Sequence, residues 1–167
     1  IGNSNTKFTG TYDGNNHIIR NYYSDIEDIN YVGVFGYIRN AEIKNLRIFD
    51  ANINGVEYSG VLTGYSIDSV IQNCYVNGNI SGYDYIGGLC GKALRSTIMD
   101  CISSVTINSS WYAGGLLSAS SNCQISDSYS SGSINNLYNT GGFVANTIRT
   151  YINRCGSNVQ INMKKRH

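Results

Sequence analysis

Three charged residues have the types and spacing to do chemistry. Asp100, Asp127 and Arg154 follow one another at a constant 27-residue interval. Two carboxylates converging on one face can divide acid and base work at a glycosidic bond. A carboxylate beside an Arg can serve a metal-assisted reaction on an acidic sugar. Asn45 and Asn73 precede the trio in the same series, however. Asn and Asp exchange where a chain turns a tight corner, because both tolerate left-handed backbone. Asp100, Asp127 and Arg154 are thus the best catalytic candidates, and their pattern is also that of a corner ladder in which Arg relieves neighbouring acids. We assign no catalytic residue.

Other reactive side chains are sparse. His17 lies near Asp13 in DGNNH, but the second His is the distant His167, so the pair reads as a turn and no metal site is expected. The Gly-Gly pairs are followed by apolar residues, unlike the GGxGxD pattern of calcium-binding repeats. The five cysteines, Cys74, Cys90, Cys101, Cys123 and Cys155, are odd in number, which argues against a complete disulfide framework. No His stands close to any of them to activate a nucleophile. Cys74 and Cys101 share one column with Ser128, read as small buried apolar positions. IGGLCG (86–91) lacks both the Lys-Ser/Thr pair and the helix of a phosphate-binding loop. Tyr31, Tyr58, Tyr85 and Tyr112 recur at the interval of the charged trio, with Trp111 adjacent. Such a column either stacks for stability or offers aromatic area to a sugar or protein partner.

The same interval runs through the elements that must position these groups. Gly33, Gly60, Gly87, Gly114 and Gly141 keep it without a break. Two residues after each stands a large apolar side chain: Phe35, Leu62, Leu89, Leu116 and Phe143. Ile71, Ile98, Ile125 and Ile152 hold the same register, as do Ile80, Ile107, Ile134 and Ile161. The motif IKNL (43–46) arrives one residue early, a slip absorbed before Gly60. A period of this length without helical spacing describes one coil of a solenoid, made of short strands stacked in parallel about 4.8 Å apart. The expected fold is all-β: a right-handed parallel β-helix of about six coils, each three-faced. Residues 1–32 form a leading coil, 33–162 the repeats, and 163–167 a basic tail. Gly positions serve bends or close backbone approach, and Leu62, Leu89 and Leu116 fill the interior.

Composition agrees. Of 167 residues, 19 are Gly, 14 are Tyr and none is Pro, while charged residues are 14% against a usual share of about 25%. A net charge of +1 gives no field for nucleic acid, and no apolar run is long enough to span a bilayer. The chain begins at Ile1 without Met, which reads as a processed or excised piece.

GGLCG (87–91) with IQNCYVNGNISG (71–82) resembles the GLUG-motif repeat of bacterial cell-surface proteins, including regions beside immunoglobulin-A-cleaving metallopeptidases. FTGTYDGNNHIIRN (8–21) is similar to the opening coil that precedes such repeats. The resemblance implies an extracellular, surface-attached solenoid with no established catalysis. The metallopeptidase HExxH signature is absent here. The expected function is therefore a non-catalytic rigid spacer or adhesive surface of a larger protein, without cofactor. Its expected partners are a host or neighbouring-cell surface protein or glycan. An end-to-end fibre subunit, built by coil-on-coil self-association, and a polysaccharide-processing enzyme are the alternatives.

Overall fold

Residues at equivalent positions pair directly across neighbouring strands. Ile71, Ile98 and Ile125 are in register, and so are Ile80, Ile107, Ile134 and Ile161, always in parallel. Leu62 donates its N–H to Leu89 at 3.1 Å, Leu89 to Leu116 at 2.9 Å, and Leu116 to Phe143 at 2.8 Å. These three leucines and the first three isoleucines of each column are fully buried. The core is thus a set of vertical ladders, each filled side chain worth about 1.5–3 kcal/mol of burial.

The computed structural model describes residues 1–25 and 29–163, and none of them is helical. The tail Lys164–His167 lies outside the described residues, and Met163 ends the last strand. The strands form four parallel sheets, where three faces were expected. The third coil illustrates the path: Val70–Gln72, Tyr75–Ser81, Asp84–Gly87 and Cys90–Leu94 lie on successive sheets. Six such strands stack on the first sheet, giving six coils. The extra face is the sheet through Asp84–Gly87, with strands of two to four residues. So short a strand carries no readable alternation.

The glycines at this bend need space. Neither Gly87 nor Gly114 has positive φ, but a Cβ at Gly87 would overlap the Cys90 carbonyl, and one at Gly114 the Leu117 carbonyl. Close backbone approach, one of the two uses expected of Gly, is the operative one here.

The one-residue slip has two defined ends. Val34 N–H donates to Val61 O, a full period on, yet Phe35 pairs in register with Thr63 while its N–H donates to Leu62 O at 2.8 Å. Phe35 therefore stands against both Leu62 and Thr63, and the first coil is one residue short at this point. The larger Phe35 ring fills the space, with Phe8 and Tyr12 each packed at 5.2 Å. The lost residue is regained at Asp50, in left-handed backbone (φ 57°), where a bulge shifts the register between Val76 and Gly78.

The two ends differ. Residues 1–8 lie along strand Phe35–Arg39: Gly36 N–H donates to Ile1 O at 2.8 Å and Phe8 N–H to Tyr37 O at 3.0 Å. In the last coil Ile152 and Ile161 are 42% and 43% exposed, although their columns are buried elsewhere.

Candidate functional site

Two corners of each coil are turned by residues in left-handed backbone. Asn40, Asp68, Arg95, Asn122 and Arg149 (φ 47–51°) turn one, and Asn45, Asn73, Asp100, Asp127 and Arg154 (φ 49–54°) turn the next. The second series contains the catalytic candidates. Arg154 grips Asp127 in a fork, Nε to Oδ1 at 2.6 Å and Nη2 to Oδ2 at 2.7 Å. Arg95 holds Asp68 the same way on the other corner, at 2.6 and 2.8 Å. The guanidinium hydrogen bonds hold both carboxyls below the usual carboxylate range. Hydrogen bonding to Asp127 raises Arg154 further. A carboxylate so held stays ionised and cannot serve as an acid near neutrality, nor Arg154 as a base. Asp100, one coil earlier, is exposed and lines a groove of about 330 Å³ with Arg47, Asn73 and Tyr75. The structure thus joins Asp127 to Arg154 and leaves Asp100 outside the fork. Sequence reading missed the Asp68–Arg95 fork, although its 27-residue spacing was the available signal.

The residue after each corner is a short donor. Cys74, Cys101 and Cys155 donate through Sγ to the carbonyl two residues back at 3.3, 3.2 and 3.2 Å, and the Ser128 hydroxyl does so at 2.8 Å. Ser69, Ser96, Cys123 and Thr150 repeat the bond on the other corner. The column read as small and apolar is therefore a hydrogen-bonding one, which explains the exchange of Cys with Ser. All five thiols are free. Burial raises the Cys101 and Cys90 thiols, which suppresses the nucleophilic thiolate. His17 Nδ1 lies 3.0 Å from Gly14 O, and Asp13 accepts from Asn15 N–H and Asn45 Nδ2, so both belong to a turn. No cluster of three metal-ligating side chains occurs among the described residues.

The tyrosine column is a continuous stack. Tyr31, Tyr58, Tyr85 and Tyr112 have ring centroids 5.2, 5.0 and 5.1 Å apart, with planes within 12° of parallel. All four are half-buried. Tyr37 and Tyr65 flank the stack, Tyr65 lying 5.9 Å from Tyr31 and 5.7 Å from Tyr58. Lys92 Nζ sits 5.7, 5.8 and 5.3 Å from the Tyr58, Tyr65 and Tyr85 centroids. Burial raises the Tyr58 and Tyr85 hydroxyls and pushes Tyr65 up to about 12. Trp111, 40% exposed, belongs to a second series: it stacks on Tyr138 at 4.7 Å and meets Tyr83 edge-on at 6.5 Å. Tyr31, Tyr58 and Tyr85 adopt φ of 69°, 49° and 51°, so bulky aromatics turn this corner in backbone that usually selects Gly or Asn.

Fold and ladders define a parallel β-solenoid. The family model of the GLUG motif matches residues 82–108, one full coil containing GGLCG. The crystal structure of a candidate immunoglobulin A1 protease from Bacteroides ovatus superposes with a TM-score of 0.54 at 17% identity, a likeness of fold. The match covers 93% of this chain and 63% of that protein's chain, so the chain spans less than two thirds of its neighbour. No curated protein matches the sequence.

Proposed function

We propose that the chain is a non-catalytic, extracellular segment of a larger bacterial surface protein, a rigid block that presents its tyrosine corner as an adhesive surface. The GLUG motif and the Bacteroides neighbour support a surface setting. The observation that carries the reading is the backbone of Tyr31, Tyr58 and Tyr85. Left-handed backbone costs an ordinary residue roughly 1–2 kcal/mol. Ring stacking returns about 0.5–1.5 kcal/mol per pair. The two nearly cancel, whereas Asn or Asp turns seven of the ten positions on the other two corners at little cost, Arg95, Arg149 and Arg154 being the rest. Stacking alone therefore gives Tyr no clear advantage over Asn, and a surface that uses the rings supplies one. The forked Asp127 favours a structural over an enzymatic reading of that corner.

The test compares wild type with the double variant Tyr58→Asn/Tyr85→Asn, in beads coated with the chain and passed over cell surfaces or glycan-coated slides. Asn suits the corner, so the variant keeps its circular dichroism. Adhesion is expected to fall at least tenfold. Equal adhesion of the two would leave only a spacer.

A further inference from the structure

We infer that the groove beside the tyrosine corner binds an acidic saccharide, a proposal that rests on the adhesive reading above. One outward-facing column runs through Tyr37, Tyr65, Lys92, Ala119 and Asn146 in register. At Ala119 the side chain shrinks to a methyl group. The step opens a groove of about 260 Å³, bounded by Tyr85, Lys92, Leu94, Asn146 and Ile148. Its chemistry is divided. Leu94 and the 56%-exposed Ile148 supply apolar area above a floor at the buried Ala119, while Lys92 and Asn146 supply donors. A pyranose has the same division, with a C–H face and a hydroxyl rim.

Lys92 selects for charge. Three tyrosine rings hold its ammonium in place, and no carboxylate lies within 4.0 Å of it among the described residues. Ring faces attract a cation without using up its three N–H donors, so an anion is the natural complement. Burial raises the Asp84 carboxyl, which accepts the Tyr85 N–H at 2.9 Å and feels the Lys92 charge without a direct ion pair, so the ammonium keeps its donors for a further anion. Lys7 stands over Tyr37 at 5.5 Å. Tyr37 lies two coils before Lys92, roughly 10 Å along the axis at the usual strand spacing. A linear chain of acidic sugars running along the axis, across the coils, therefore meets a second cation.

Isothermal titration with a uronic-acid tetrasaccharide, its carboxyl-reduced neutral counterpart and a sulfated tetrasaccharide of the same linkage tests the assignment. The uronate is expected to bind, and the neutral sugar to bind at least tenfold more weakly. Lys92→Met should cost about tenfold, the weight of one charged hydrogen bond. Ala119→Tyr fills the groove with a residue that the column already accepts at positions 37 and 65, and should abolish binding with unchanged circular dichroism. Preference for the sulfated sugar assigns sulfate as the anion; preference for the uronate assigns carboxylate. Equal binding of neutral and acidic sugars, wild-type affinity in Lys92→Met, or no binding of either acid overturns the proposal. If adhesion still depends on Tyr58 and Tyr85 after such a result, the adhesive reading stands and only the ligand class falls.

Discussion

Cys101 shows what a single position in this fold requires. Its Sγ donates to Met99 O at 3.2 Å, while its N–H donates to the Ser128 hydroxyl at 3.1 Å. Ser128 does the same job one coil later, so Cys101→Ser should be nearly neutral. Cys101→Ala removes the sulfur and with it the donor, and should be about 1 kcal/mol less stable than the Ser variant in urea unfolding. An Ala variant at least as stable as Ser would return the column to a plain apolar one. The column itself was legible, because Cys74, Cys101, Ser128 and Cys155 repeat at the coil period. Its role was not: the donor reaches the second lone pair of a carbonyl that already accepts the corner N–H of the preceding coil, as Met99 O accepts from Asn73 at 3.1 Å, and no spacing reveals that. The pairing of Asp127 with Arg154 was similarly foreseeable as proximity, but the fork required side-chain geometry.

At the scale of the element, the tyrosine corner is where local preference and tertiary packing disagree most. Tyr58, Tyr65 and Tyr85 are all raised, chiefly by burial. A phenol with a raised native pKa resists ionisation that the unfolded chain allows. Its contribution to stability is full below about pH 10, where free tyrosine titrates, and declines as pH rises toward the Tyr65 value of about 12. Melting temperature should therefore fall through that window, with tyrosinate absorbance lagging that of the unfolded chain. Titration coincident with the unfolded chain would contradict a packed stack. The sequence displayed this column plainly, yet not the separate sheet whose strands hold Tyr58 and Tyr85. A face built from strands as short as Ala113–Gly114 leaves no pattern to read, and three sides were expected where four exist.

For the whole molecule, the regular recurrence was enough to establish stacked coils, because one period had to satisfy every column together. What it concealed was local: Phe35 shares the motif position of Leu62 but pairs with Thr63, since a residue lost there and regained at Asp50 leaves the glycine spacing intact. The two ends also differ, residues 1–8 lying along the first coil while Ile152 and Ile161 are exposed in the last. Everything proposed for the surface depends on the layering of the coils. Asn52, Asn79, Thr106, Ser133 and Gln160 are successive partners on one sheet. Spin labels placed at Asn52 and Gln160 should therefore lie about 19 Å apart by electron double resonance, four strand spacings. A broad distribution centred well beyond about 30 Å would show that the coils do not stack, and would contradict the account at its base.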